Sequence, residues 1–190
     1  MSEPVRPWRR LGSRTVVHDR WMELRAEHWE TARGITLDPW WVLGWTDWVH
    51  VVALTPDDRL VLVRQFRPGA AQPVLELPGG VVERTESDPL AAARREFREE
   101  TGYEASEFRP ILSPFVEPAH AVNRVHFVLA LGVVPGGPQR LDAAEDIHVE
   151  TLPVAEVLAG LGQGLVLHAT HIGGLLLGLR MAGRIGFGLR

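Results

Sequence analysis

Apolar residues along this chain follow two periods, and the switches between them mark its elements. From Val49 to Leu54 and from Leu60 to Phe66 the apolar positions are nearly continuous, with Thr55-Pro56-Asp57-Asp58 between them. Two such runs about a turn-rich cluster predict a hairpin. Val74–Leu77 predicts a further short strand, closed by Pro78-Gly79-Gly80. A helical period follows. Asp88 suits an N-cap, Pro89 the first helical position, Leu90–Thr101 the body and Gly102 the C-terminal cap. Leu90, Ala93 and Phe97 share an apolar stripe, while Glu96, Glu99 and Glu100 stand at i, i+3 and i+4 on another face. Beyond it, residues 124–130 predict a buried strand, Pro135–Pro138 a loop and Ile147–Leu152 a strand. Val154–Gly160 predicts a short helix and His168–Met181 a longer one with an apolar face.

Composition divides the chain. All seven tryptophans lie in the first 48 residues, at 8, 21, 29, 40, 41, 45 and 48. Thr15–Val17 and Met22–Glu27 read there as strands with alternating faces. A small sheet so rich in aromatics does not bury them alone. Residues 1–48 are therefore expected to form an antiparallel β subregion that packs on the main domain or on a second subunit, with the main domain at 49–190. Strands mixed with few helices indicate the α+β class, as an α/β/α sandwich about a mixed sheet.

Charge and residue usage exclude several functions. The net charge of -4 argues against a partner that is a nucleic-acid polymer. It does not exclude a nucleotide substrate, since a few arginines and a metal can handle a diphosphate. There is no cysteine, so disulfides, zinc-thiolate sites and thiol nucleophiles are excluded, and a cytoplasmic protein is expected. Met1–Leu11 has no apolar run behind its arginines, as a signal peptide would. The longest apolar stretch near the end, Ile172–Leu179, falls far short of the ~20 residues that span a bilayer, so no membrane partner is expected. His168 and His171 at i, i+3 have a spacing that can chelate, but packing or capping accounts for it more simply.

Three carboxylates on one helical face repel one another. Like charges at i, i+4 cost about 0.2–0.5 kcal/mol per pair. Glu99 and Glu100 also fall in the last turn, where the helix dipole disfavours anions. Alone, such a face is ordinarily a solvated one, tempered here by Arg94, Arg95 and Arg98. It is preceded, however, by Leu77-Pro78-Gly79-Gly80, a glycine turn whose backbone can approach another group closely. Gly80, five residues, Glu86, and then Arg95-Glu96-Phe97-Arg98-Glu99-Glu100-Thr101-Gly102-Tyr103 resemble the signature of the Nudix hydrolases. The pattern departs in one place: eight residues, not seven, separate Glu86 from Arg95. That insertion puts a role for Glu86 in doubt. Phe97 and Tyr103 stand where the pattern has aliphatic residues.

The resemblance implies a loop-helix that binds Mg²⁺ or Mn²⁺ through Glu96, Glu99 and Glu100, with the Gly79 carbonyl as a further ligand. Hard oxygen ligands suit those ions. It implies that Arg95 orients the glutamates rather than touching substrate. Val63–Arg67, Leu75–Gly80, Pro118 and Glu145-Asp146-Ile147 resemble the ADP-ribose pyrophosphatase branch, in which a proline follows the motif; Pro118 lies fifteen residues after Tyr103. In that branch Glu145 would be the general base and Arg67 would touch a substrate phosphate. Glu76 would contact base or ribose, or pair with an arginine, and the pairing is favoured. The tryptophan-rich N-terminus would join a homodimer and help shape the partner's site. The expected activity is cleavage of a nucleoside diphosphate derivative, ADP-ribose or a related nucleoside diphosphate sugar. A nucleoside triphosphate pyrophosphohydrolase is the alternative within the family. A Nudix fold kept as an inactive ligand sensor is the alternative outside enzymes, and the intact Glu96, Glu99 and Glu100 argue against it.

Overall fold

The protein is described from a computed structural model that covers residues 4–166, 168–186 and 188. Its contacts divide it into two compact units, one comprising the chain up to Thr46 with Phe115–Arg124, the other Asp47–Pro114 with the chain from Val125 onward.

The first unit holds a three-stranded antiparallel sheet of β1 (Arg9–His18), β2 (Glu23–Glu30) and β3 (Thr36–Gly44), with β2 in the middle. The strands at Thr15–Val17 and Met22–Glu27 belong to β1 and β2. β3 was not evident in the sequence, because Asp38-Pro39 interrupts its run and proline demotes a strand. Leu43 continues the pairing to the 115–124 segment through a bridge to Ala121.

The second unit is built on a six-stranded mixed sheet. Its order is β11 (Ile147–Pro153), β5 (Arg59–Arg67), β4 (Trp48–Leu54), β9 (Val125–Leu131), β8 (Glu107–Leu112), with β6 (Gln72–Glu76) also on β5. β4 and β9 are parallel and the other pairs antiparallel. Two short strands, β7 (Tyr103–Glu104) and β10 (Val134–Pro135), pair beside it. The helices are α1 (Pro89–Thr101), α2 (Val154–Leu161) and α3 (Ala169–Met181). None is long and apolar enough to cross a membrane.

Alternation along the central strands explains the layers, since successive side chains of a strand point to opposite faces. Val49, Val51 and Ala53 of β4 and Val128 and Ala130 of β9 pack in one cluster with Ala92, Ala93 and Phe97 of α1. His50, Val52 and Phe127 face the other way, toward α3, where Gly174 lies against Phe127 and Gly178 against Val52. Helices thus cover both faces, as the α/β/α expectation requires.

β5 makes the site possible. It pairs with β4 only at Val61 and Leu60, then leaves it, and its second half pairs with β6 instead. The chain leaving β6 fills the resulting fork. Val51 N–H donates to the Pro78 carbonyl at 2.8 Å and Val49 N–H to the Gly80 carbonyl at 2.9 Å. The glycine turn is therefore laid along β4, under the end of α1.

The α3 contacts give a stability test. A Cβ on Gly178 would lie 2.9 Å from three atoms of Val52, whereas one on exposed Gly173 would meet nothing within 4 Å. Alanine improves helix propensity by about 1 kcal/mol at either site, but overpacking costs about 1–3 kcal/mol. Urea denaturation is expected to show Gly173→Ala more stable than wild type by about 0.5–1 kcal/mol and Gly178→Ala less stable. Equal effects would show that α3 does not sit on β4 this closely.

Candidate active site

Helix α1 starts and stops where its caps dictate. Asp88 accepts the Leu90 N–H at 2.9 Å, Pro89 takes the first position, and Gly102, at φ +71°, ends the helix with its N–H on the Arg98 carbonyl. Burial of Ala92, Ala93 and Phe97 fixes the rotation of the helix about its axis. That rotation turns Glu96 and Glu100 toward the glycine turn.

The turn itself has no side chain to spare. Gly79 adopts φ +152°, and a Cβ there would stand 2.0 Å from the Val49 carbonyl oxygen. A Cβ on Gly80 would meet Glu96 Oε2 at 2.5 Å. Only glycines let the backbone come so near the helix. The Gly79 N–H then donates to Glu100 Oε2 at 2.7 Å. Glu100 is 4% exposed. Burial pushes its carboxyl up to about 8, against the pull of the Gly79 amide, and the charges of Glu96 and Glu145 push the same way. Burial also raises Glu96, opposed by Arg95 and reinforced by Glu99 and Glu145.

Arg95 collects the remaining acids. Its NH1 donates to Glu96 Oε1 at 2.8 Å and to Glu99 Oε2 at 3.1 Å. Its Nε and NH2 donate to the two oxygens of Glu86 at 3.0 and 2.9 Å. The insertion left a role for Glu86 in doubt; the structure places its carboxylate on Arg95 in this bidentate pair. The Glu86 N–H bonds the Glu83 carbonyl in the turn that precedes it. The Glu86 hydrogen bonds are the main reason that Arg95 is held charged far above its ordinary range, burial opposing and Glu96 and Glu99 assisting.

The other expected residues fall into three places. Glu145 lies exposed in the loop before β11, its Oε2 accepting the Asp142 N–H at 2.9 Å, and its charge acts on Glu96 and Glu100. Arg67 ends β5, opposite Gln72, and Glu76 ends β6, opposite Val63, and their side chains meet along the ladder. Glu76 is 1% exposed and its Oε2 takes Arg67 Nε at 2.9 Å and Gln65 Nε2 at 3.3 Å. The pairing reading of Glu76 is thus the one that the structure holds. Pro118 belongs to the first unit. There it helps line a cavity of about 630 Å³ with Trp8, Trp29, Trp40 and His120.

Some residues at these sites were not singled out from sequence. Gln139 Nε2 donates to the carbonyls of Glu100, at 2.5 Å, and Ile147, at 3.1 Å, tying the helix end to the strand after Glu145. In the first unit, Glu27 is 2% exposed and held by Arg10, Arg25 and the Trp29 indole. The Glu100 carbonyl that Gln139 bonds is 39 residues away, and Glu27 stands among Arg25 and Trp29 as one more alternating polar position of β2 until Arg10 of β1 is placed beside it.

Whether these residues fit a divalent cation can be judged from their charge. Among the described residues no three His, Asp or Glu side chains already converge as a metal site; Glu96 and Glu99 are both turned onto Arg95. The donors are nonetheless hard oxygens, of the kind that Mg²⁺ and Mn²⁺ take. Two of them, the partly buried Glu96 and the buried Glu100, are raised first by loss of solvent and further by the charge of neighbouring glutamates, Glu145 acting on both. The set fits.

The native state holds the Glu100 proton up to about pH 8, whereas the unfolded chain releases it near 4.5. Between those values the native state binds more protons. Stability from this group therefore falls as pH rises, by at most about 1.4 kcal/mol per pH unit. In metal-free protein, urea denaturation at about pH 5 and about pH 8 is expected to show wild type losing stability relative to Glu100→Gln as pH rises. A difference that stays constant would mean that Glu100 titrates normally.

Known proteins resemble this chain to different extents. The methanol dehydrogenase activator of Bacillus methanolicus is 35% identical over 85 residues, 45% of each chain. The ADP-ribose pyrophosphatase of Bacillus subtilis (strain 168) is 34% identical over 108 residues, 56% of each chain. The chain spans about half the length of these curated relatives. A crystal structure of an ADP compounds hydrolase matches with a TM-score of 0.82 over 97% of this chain and 100% of its own, at 21% identity, which is a likeness of fold. The family model for the NUDIX domain matches residues 46–167, a span that includes the glycine turn, all of α1 and Glu145. With well over half of its length so matched, the chain belongs to the NUDIX domain family.

Proposed function

We propose that this protein is a Mg²⁺- or Mn²⁺-dependent hydrolase of the diphosphate linkage in a nucleoside diphosphate derivative, ADP-ribose or a related nucleoside diphosphate sugar. The observation that carries the reading is the buried Glu100 carboxyl, drawn against the Gly79 amide with Glu96 nearby and no arginine paired to it among the described residues. Glu96, Glu99, Glu100 and the Gly79 carbonyl would hold the cation. Such an ion neutralises a diphosphate and activates a water for attack on phosphorus.

The chain's own groups have separate tasks in this reading. Glu145 is exposed and unburdened by an arginine, so it can take the proton of the attacking water. Water then adds across the P–O–P bond, leaving a mononucleotide and a sugar phosphate. Arg95, held by Glu86, sets the positions of Glu96 and Glu99 and does not touch substrate. Arg67, anchored on Glu76, offers its remaining N–H donors to a phosphate. A homodimer is part of the proposal. A sugar-nucleotide substrate is favoured over a nucleoside triphosphate by the relative named for ADP-ribose.

A panel of ADP-ribose, other nucleoside diphosphate sugars and nucleoside triphosphates, with Mg²⁺ and with Mn²⁺, tests the activity. Wild type is expected to turn over a sugar nucleotide, and Glu100→Gln to lose that turnover. No hydrolysis of any diphosphate, together with tight nucleotide binding, would identify a sensor instead. Glu145→Gln is expected to lower kcat by ~10²–10⁴-fold, the usual contribution of a general base. A kcat within a few-fold of wild type would remove Glu145 from that role.

A further inference from the structure

Two buried N–H groups of the glycine turn need acceptors, because Leu77 and Gly79 lie inside the protein and Pro78 has no N–H. Gly79 is satisfied from one face of the sheet by Glu100 of α1. Leu77 is satisfied from the other face. Its N–H donates to His171 Nδ1 at 3.2 Å, and His171 is wholly buried. A backbone amide can only donate, so Nδ1 must be the unprotonated nitrogen and the ring proton sits on Nε2. That nitrogen has no hydrogen-bond partner among the described residues. Burial first, then the neighbouring histidines and Arg67, hold His171 neutral.

The ring is also fixed in direction. His168 stacks on it at 4.0 Å between centroids and 14° between planes, and His50 packs on it at 4.0 Å and 55°. His50 stands against the same turn, since a Cβ on Gly79 would fall 2.9 Å from its Nδ1. A leucine or phenylalanine at 171 would fill such a space with less cost, because an apolar side chain leaves no polar atom buried. A buried imidazole with one unpartnered nitrogen needs another explanation than packing.

We infer that His171 is a positioning residue for the metal-binding turn: its Nδ1 holds the Leu77 amide from helix α3 and so sets where the Gly79 carbonyl and Glu100 stand. The inference rests on the proposed metal site and adds to it a control from the opposite face of the sheet. The Pro78 and Gly80 carbonyls tie the turn to β4, and its two buried amides are each held from one side, Gly79 by Glu100 and Leu77 by His171. Without His171 the start of the turn keeps no acceptor for its Leu77 amide, and the path into Gly79 loses that restraint. The i, i+3 histidine pair of α3 is then neither a chelate nor a simple cap. One histidine accepts from the turn and the other holds its ring in plane.

The test measures Mn²⁺ affinity from the loss of the free-ion EPR signal, without substrate, in wild type and three variants. Asparagine sets an oxygen near the place of Nδ1, glutamine carries its acceptor one bond further out, and leucine has none. His171→Asn is expected to bind Mn²⁺ within about threefold of wild type, and His171→Gln and His171→Leu about tenfold more weakly, the scale on which supports of a metal ligand act. In parallel, hydrogen exchange at the Leu77 amide of the metal-free proteins is expected to speed up in the Gln and Leu variants and not in Asn. If Leu does not fold, the contrast between Asn and Gln decides. Equal Mn²⁺ affinity in all folded variants, or Asn as weak as Gln, overturns the positioning role while leaving the metal site standing. Wild type that takes up no Mn²⁺ overturns the metal site and this inference with it, a result that the Leu77 exchange data cannot mimic.

Discussion

A carboxylate removed from water must find donors or a counter-charge, or give up its own charge. Glu100 has one donor, the Gly79 amide at 2.7 Å, and an arginine is not its partner. This bond decides the geometry around it. It requires backbone within hydrogen-bonding distance of a helix side chain, which no residue with a Cβ allows at position 79. It requires the helix to present Glu100 inward, which the burial of Phe97 and Ala93 enforces. It also leaves the second Glu100 oxygen with negative charge nearby and little to balance it. On the proposed reading, the cation site rests on that imbalance rather than on the number of acids on the helix.

The sheet supplies the space for this bond. Had β5 continued along β4, the row of β4 donors at Val49 and Val51 would have been spent on a neighbouring strand. Because β5 turns away to β6, those N–H groups donate to the turn instead, at the carbonyls of Gly80 and Pro78. The strand order places the turn between two helices that cannot touch each other. Each reaches it with one acceptor, Glu100 from α1 and His171 from α3. A feature of topology thereby becomes a feature of electrostatics, since the turn that fills the fork brings its Gly79 amide to Glu100.

Legibility in the sequence tracked the distance between partners. Helix α1 was readable to the residue, because its caps at Asp88 and Gly102 and its apolar stripe are local signals. The strand pair at β4 and β5 was readable as a hairpin, but the fork that separates them was not, since nothing in Leu60–Phe66 says where pairing stops. Glu86 shows the limit of counting. The one-residue insertion put its role in doubt, and spacing along the chain does not give the loop path that brings its carboxylate to Arg95. β3 was hidden by Pro39. Glu27, a buried acid in a strand, looked like any other alternating polar position until Arg10 and Arg25 appeared beside it from β1 and from its own strand. The roles of His171 and Gln139 depend on contacts 94 and 39 residues away, which no local pattern encodes.

Arg95 and Glu86 are best understood together. In the protein without a cation, Arg95 neutralises Glu96 and Glu99, and the helix is spared its own repulsion. A divalent ion that drew those two acids away would leave a partly buried guanidinium unpaired, and stranding a charge in this way is more costly than never having paired it. Glu86 removes that penalty. It holds Arg95 by two parallel N–H···O bonds whatever Glu96 and Glu99 do, a geometry that guanidinium and carboxylate share. On the proposed reading, the pair lets two glutamates change partners between arginine and metal with Arg95 still satisfied. Glu86 then stabilises the states with and without metal alike, and its position outside the helix is what allows this. A carboxylate on α1 itself would have been drawn toward the ion with the others.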